Sequence, residues 1–366
     1  MKIDITKSDL LQPLRKVVSI ISKKSVIPEL ENLFIEVENY EMYIKSTSLD
    51  MEIVAKIFLK KKYKKKVFSI PGKKFFDIFR FLSEKQKITI RVEKKKISIF
   101  SNGSSYTLSI CKTKNFSNIE LIGEKKVFFI SCKKLKNLIQ YTYFAIGKSD
   151  SRYYLNGMLF EIKNKEICVV ATDGHRLAYF LDTIENTNIK EKFIVPRVSI
   201  MEIYKIVENS EKIVEFQIFK SSIKMSIEKL VFSFKTISME YPKYHSVFPK
   251  NPNRFLYINC SEFKKALKRV LIISCENFQN TRFLLKKNKL EIISENFSTE
   301  SAKEILNVKY IGYPIEMGFN VNYLIEIINT IKCKEIKISI TNEHSSIKIQ
   351  NEEEKNLLYL LMPIYL

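Results

Sequence analysis

Apolar positions along this chain follow two rhythms, alternation at every second residue and a stripe at i, i+4, and the two succeed one another in a fixed order. Three segments make this plain: KIDITKSDLLQPLRKVVSII from Lys2, VFFISCKKLKNLIQYTYFAI from Val127 and FLYINCSEFKKALKRVLIIS from Phe255. Each opens with a strand-like run ending at Ile5, Ile130 or Ile258. Five residues later stands a large apolar side chain (Leu10, Leu135, Phe263), and four further on another (Leu14, Ile139, Leu267). That spacing is the buried stripe of an amphipathic helix. Ser8 is the expected N-cap of the first helix, and Asn259 or Ser261 of the third.

A second layout repeats in step with the first. FSIPGKKFFDIFRFL from Phe68, FIVPRVSIMEIYKIV from Phe193 and MGFNVNYLIEIINTI from Met317 each end a strand at Pro71, Pro196 or Asn320 and then start a helix, with apolar pairs Phe75/Phe76, Ile200/Met201 and Leu324/Ile325. Proline suits that junction because its missing N–H would be unpaired there. The Ile markers stand 125 and 128 residues apart and the strand ends 125 and 124. A shared period predicts three copies of one β-rich domain with two helices each, over residues 1–124, 125–250 and 251–366, in an α+β fold. Between the helices, Asn102-Gly103, Asp173-Gly174 and Ser294 to Ser298 separate β-prone runs and predict hairpins.

Composition limits what such a fold does. Lys and Arg outnumber Asp and Glu by 62 to 40, giving a net charge of +22. This points first to nucleic acid and second to an acidic membrane surface. Part of the lysine excess matches an A/T-biased coding sequence, since Ile, Asn, Phe and Tyr are also abundant while Gly, Pro and Trp are scarce. Lysines and arginines recur on the helices at related positions: Arg15 and Lys16; Lys133, Lys134 and Lys136; Lys264, Lys265, Lys268 and Arg269; Lys73 and Lys74; and Arg197. One-sided, they would track phosphates without reading bases. Cys111, Cys132, Cys168, Cys260, Cys275 and Cys333 contain no CxxC pair, so reduced thiols of a cytoplasmic protein are expected, with Cys132 and Cys260 as small buried residues at helix starts. The N-terminal segment is too polar for a signal peptide, and LLYLLMPIYL is about half the ~20 residues of a membrane span.

Little in the chain suggests catalysis. The eight glycines form neither GxGxxG nor GxxxxGK[ST], and His175, His245 and His344 show no metal-ligand spacing. VVATDGHRLAYF from Val169 gathers Asp173, His175 and Arg176. A hydrolytic centre there competes with a simpler reading, hairpin-turn chemistry beside a binding surface, which explains Asp173 by the turn alone.

SRYYLNGMLFE, ATDGHRLA, LLQPLRKV, IPELENL, IPGKKFFDI, VPR at 195–197, YPKYHSVFPKNP, MGFNV and the terminal MPIYL together resemble the β sliding clamps of bacterial DNA polymerase III over the whole chain. The resemblance implies three clamp-type domains, each with antiparallel sheets outside and two helices inside, and two chains closing head to tail into a ring. It implies a processivity factor with no catalytic residue, metal or cofactor. Its partners would be encircled double-stranded DNA, a second copy of the chain, the replicative polymerase α subunit, the clamp-loader complex and other clamp-motif proteins, with no membrane. A monomeric, non-encircling nucleic-acid-binding protein is the alternative, separable by oligomeric state.

Matched position by position, the resemblance implies a peptide cleft at Leu155, Thr172, Gly174, His175, Arg176, Leu177, Pro242, Val247, Leu360, Met362, Pro363 and Ile364. Arg176 and its neighbours would orient a peptide there. DNA contacts fall on Lys24, Lys73, Ser149, Tyr153 and Tyr154. Lys24 and Lys73 replace arginines common in the family, and Ser149 a longer amide. A ring interface falls on Lys74, Tyr106, Leu108, Ile272, Ile273, Glu300 and Glu304. Gly103 and Ser105 stand where basic residues are common and Ser298 where an acidic one is, which predicts closure leaning on apolar contact. Ser246 and Tyr365 also replace basic residues, predicting weaker binding of acidic-flanked peptides.

Overall fold

The computed structural model describes residues 1–22, 26–83, 87–111, 118–184, 189–274, 280–296 and 300–364. Among them are six α-helices: α1 (Lys7–Val18), α2 (Gly72–Phe81), α3 (Cys132–Gln140), α4 (Arg197–Ile206), α5 (Cys260–Leu271) and α6 (Val321–Thr330). They begin where the repeated pattern places them. The stripe residues Leu10 and Leu14, Leu135 and Ile139, and Phe263 and Leu267 are all at most 1% exposed. In the second helix of each repeat the first of the apolar pair (Phe75, Ile200, Leu324) is at most 1% exposed; Ile325 is buried as well, whereas Phe76 and Met201 are half-buried.

The helix starts carry one correction. Thr6, not Ser8, caps α1. Its Oγ1 accepts a hydrogen bond from the Asp9 N–H at 3.3 Å, and Ser8 lies within the first turn. A cap needs extended backbone, and the strand Lys2–Thr6 supplies it up to Thr6. Asn259 caps α5 as expected, accepting from the Glu262 N–H at 3.1 Å. Cys132 and Cys260 are buried free thiols at their helix starts.

Among the described residues every strand pairing is antiparallel, in four sheets. The chain forms two compact units, residues 1–133 with 201–236, and residues 134–200 with 237–366. In the first unit, one sheet orders Lys2–Thr6, Lys87–Val92, Lys96–Ser101 and Ser104–Ser109, and a six-stranded sheet is built on the long pair Asn32–Thr47 and Met51–Pro71. α1 and α2 pack together beside that pair. The six-stranded sheet runs through a repeat boundary, because Leu230–Phe234 pairs with Met51–Ala55.

The second unit has the same logic. A nine-stranded sheet joins Gly157–Pro196 to residues of the third repeat through Arg176–Phe180 against Leu357–Leu361. A four-stranded sheet orders Ser301–Asn307, Lys289–Glu295, Asn280–Lys286 and Ile315–Asn320, and α5 packs on α6. Sharing sheets across repeat boundaries satisfies backbone edges that would otherwise attract foreign strands. Ser104–Ser109 and Ser301–Asn307 stay at sheet edges.

Candidate binding groove

The segment from Thr172 to Leu177 forms a hairpin with a four-residue loop, since Thr172 pairs with Leu177. Asp173 organises it: Oδ1 accepts from the His175 and Arg176 N–H groups, both at 3.0 Å. Gly174 holds φ +89°, and a Cβ built there would meet Arg152 Nη2 at 2.8 Å. That left-handed backbone favours glycine, and a Cβ there would have to push the Arg152 guanidinium aside.

Arg176 is 6% exposed. Its Nε donates to Asp173 Oδ2 at 3.0 Å, its Nη2 to the Phe144 carbonyl at 2.8 Å and its Nη1 to Glu326. The guanidinium also lies over the Tyr323 ring, 4.2 Å from its centroid. A buried cation needs such pairing to offset its lost hydration. Nε, Nη1 and Nη2 thus each donate one bond to the scaffold.

Beside the hairpin is a cavity of about 310 Å³. Of the twelve positions expected to share a cleft, ten line it: Leu155, Thr172, Gly174, His175, Arg176, Leu177, Pro242, Val247, Leu360 and Met362. Leu177 and Leu360 are buried in a cluster with Val170, Ile194 and Tyr244, whereas Val247 and Met362 stand half in solvent at the rim. Pro363 and Ile364 lie off the cavity lining. The Met362 N–H is tied to the His175 carbonyl at 2.9 Å, and the Ile364 N–H turns to the Gly318 carbonyl at 2.8 Å. The C-terminal strand Leu357–Leu361 therefore closes the sheet and its continuation forms one groove wall.

Sequence reasoning missed Arg152, Lys243, Tyr244 and Ser346 as lining residues, and it gave Tyr154 to DNA, although Tyr154 also lines the groove. Tyr244 was visible in YPKYHSVFPKNP, and its role follows from burial of its ring beside Tyr179. Its hydroxyl donates to Glu161 Oε2 at 3.0 Å. Burial raises the Glu161 carboxyl, but Lys192 at 2.9 Å and the tyrosine outweigh that and leave it lowered. Burial pushes the neighbouring Cys168 thiol up to about 11, making it a packing residue, not a nucleophile. At the mouth, Arg152 grips Asp150 with two nitrogens at 3.0 and 2.9 Å and holds that carboxyl at about 2.

The other predicted positions divide among exposed sites. Lys73 is half-buried at the first turn of α2, Ser149 takes φ +57°, and Tyr153 is 60% exposed; Lys24 lies outside the described residues. Lys73, Lys74, Lys264, Lys265 and Lys268 have no carboxylate partner among the described residues, whereas Lys16, Lys133 and Lys134 pair with Glu208, Glu211 and Asp182. Tyr106 and Leu108 sit on the edge strand Ser104–Ser109. Ile272, just after α5, is 79% exposed, and Ile273 is half-buried. Glu304 on the edge strand Ser301–Asn307 is held by Arg269 at 2.7 and 2.6 Å, and Glu300 bonds Asn296. Ser298 and Tyr365 lie outside the described residues. No cluster of His, Cys, Asp and Glu suited to a metal occurs among the described residues.

Known proteins carry the same design. Sequence models of the DNA polymerase III beta subunit match its N-terminal domain at residues 1–120, its central domain at 129–243 and its C-terminal domain at 245–365. The chain belongs to that family, the bacterial beta sliding clamps. The beta sliding clamps of Salmonella typhimurium and Escherichia coli K12 are each 33% identical over 366 residues, covering all of both chains. The crystal structure of the DNA polymerase III subunit beta from Pseudomonas aeruginosa superposes with a TM-score of 0.96 at 29% identity over the full length of both chains. A Caulobacter crescentus sliding clamp does so with 0.94 at 25%. The protein is accordingly a sliding clamp, a processivity subunit of the polymerase III holoenzyme and not itself a catalyst. No helix among the described residues is long and apolar enough to cross a membrane.

Proposed function

We propose that this clamp works in the cytoplasm as three domains, 1–124, 125–250 and 251–366, closed head to tail with a second copy around duplex DNA, and that it tethers partners through the groove beside Asp173–Arg176. The observation that carries the groove assignment is the convergence of ten predicted positions on one cavity with an apolar floor and half-exposed apolar rim. Such a surface suits an extended peptide whose hydrophobic anchors enter the groove while a few polar groups fix its direction. The replicative polymerase α subunit, the clamp loader and other clamp-motif proteins would offer such peptides. Lys243, which also lines the cavity, supplies positive charge that Ser246 does not, while the Arg152 guanidinium is engaged by Asp150. Arg176 acts as a positioning residue that holds the hairpin.

For DNA, Lys73 and Tyr153 are the described candidates with exposed or half-exposed groups, Ser149 being too short to reach far. Lys24, outside the described residues, completes the set with Tyr154. Weak lysine–phosphate contacts suit a sliding ring, since none is costly to exchange. For closure, a heterologous contact pairs the edge carrying Tyr106 and Leu108 with the partner copy's surface around Ile272, Ile273, Glu300 and Glu304, near Lys74. The test is retention on a nicked circle after loading with a clamp loader and ATP. Protein lost only when the circle is linearised establishes encirclement; protein that survives cutting would mean electrostatic attachment.

A further inference from the structure

Two lysine runs far apart in sequence meet on the first unit. The strand Met51–Pro71 carries IFLKKKYKKKVF, with Lys60, Lys61, Lys62, Lys64, Lys65 and Lys66 around Tyr63. Its pairing with Asn32–Thr47 slips here: Val37 faces Lys66, Asn39 faces Tyr63 and Glu41 faces Phe58. Four steps on one strand thus oppose eight on the other, and the surplus residues bulge outward. The Lys66 ammonium donates to the carbonyls of Val92 and Glu93 at 3.0 and 3.3 Å. That bond pins the bulge against the turn bearing Lys94, Lys95 and Lys96.

The acidic residues nearby do not balance this patch. Asp4 takes Lys61 at 3.2 Å, Glu36 and Glu38 take Lys65 at 3.0 and 3.4 Å, and Glu93 reaches Lys96 at 3.8 Å. Lys60, Lys62, Lys64, Lys94 and Lys95 are exposed and have no carboxylate partner among the described residues. Coding bias explains many lysines but not why two runs converge with their acids already engaged.

We propose that this bulge and turn form a second, sequence-independent contact for the phosphate backbone of DNA, separate from the family positions above. The occupant follows from shape and chemistry. A peptide partner needs pockets for side-chain anchors; of the exposed rings at the slip, Tyr40 stands on the opposing strand and Phe58 is already covered by the ammonium groups of Lys56 and Lys229 at 5.1 and 4.6 Å. The opposing strand advances only four residues between Val37 and Glu41, ~13 Å at ~3.3 Å each, so the bulge faces roughly four phosphates at 3.4 Å each along one strand of a duplex. Lysine ammoniums on flexible stems suit contacts that read charge and not base identity.

The test compares two variants that each lose five exposed lysines. One is K60Q/K62Q/K64Q/K94Q/K95Q; the control, K287Q/K289Q/K332Q/K334Q/K355Q, removes the same charge from the second unit. Binding to a short linear duplex is followed by fluorescence anisotropy between about 50 and 200 mM salt, where each phosphate contact contributes ~0.9 to the slope of log affinity against log salt. The patch variant is expected to lose about two to three from that slope, for roughly three contacts, and the control less than half as much. Equal losses would assign the binding to net charge and overturn the proposal. So would an unchanged patch variant, including one that keeps DNA binding while losing a polyglutamate peptide, which would assign the patch to acidic protein segments. Linear duplex has free ends, so encirclement adds nothing to this signal, and failure here leaves the clamp assignment untouched.

Discussion

The hairpins at Asn102-Gly103 and Asp173-Gly174 look alike in sequence and are built differently. At the first, Ser101 pairs with Ser104, leaving a two-residue turn with φ +37° and +81°. A Cβ on Gly103 would meet nothing within 4 Å. The turn only joins strands, and the strand it delivers is an exposed edge. At the second, a wider loop folds around Asp173, presses Gly174 on Arg152 and hangs Arg176 in a buried set of acceptors. A dipeptide signal thus fixes chain reversal, while what the turn is worth depends on which side chains from elsewhere close on it.

The largest effect should come from the buried cation. Arg176→Ala strands Asp173 and Glu326 and leaves the Phe144 carbonyl without its donor. A broken buried pair costs about 3–5 kcal/mol; with Glu326 43% exposed and Asp173 16%, urea unfolding of the second unit should shift by the low end of that range, and peptide binding should fall with it. Ser105→Ala, beside the other turn, is expected to stay within ~0.5 kcal/mol. A result for Arg176 inside that same range would show that the hub does not stabilise the groove.

Next comes the edge strand that the Asn102 turn delivers. Tyr106→Ala with Leu108→Ala removes little packing from one chain but about 2 kcal/mol of apolar contact from a closed ring, roughly a thirtyfold weaker dimer. Sedimentation at low concentration reads this directly, and Ile272→Ala with Ile273→Ala should match it from the facing surface. An intact dimer in both would sink the apolar closure argument. Smaller still is Gly174→Ala, at about 1–2 kcal/mol for the left-handed backbone. Gly103→Ala carries a similar backbone cost, but only the Gly174 change displaces Arg152 and should weaken a groove peptide. Equal peptide affinity in the two variants would erase the contrast between the hairpins.

Much of the fold was legible because helix stripes and strand ends are local. Leu10, Leu135 and Phe263 announce one helix start three times, and the 125-residue spacing then predicts the next. What escaped was non-local. Nothing in the sequence registers Arg176–Phe180 against Leu357–Leu361, or Leu230–Phe234 against Met51–Ala55, so the sheets that cross repeat boundaries emerge only in three dimensions. Arg176 read as a ligand-facing group because Glu326 stands 150 residues away. Tyr154 read as a DNA contact through the family resemblance, and nothing local in the sequence says that its ring lines the groove.

The smallest predicted effect separates charge from apolar contact at the other edge. Glu304 is lowered below its usual 4.5 chiefly by its hydrogen bonds from Arg269, yet Arg269 is about half exposed, so solvent screening keeps the pair at ~0–1 kcal/mol. A carboxyl lowered in the folded state contributes above its unfolded pKa and loses that contribution as pH falls through the folded one. Glu304→Gln should therefore cost a few tenths of a kcal/mol near neutrality, with the difference from the parent closing as pH drops below 4.5. Added salt should shrink it too, while leaving the Tyr106 and Leu108 effect in place. A dimer that weakens more on Glu304→Gln than on Tyr106→Ala with Leu108→Ala would reverse the order, making the ring's closure electrostatic and its apolar edge incidental.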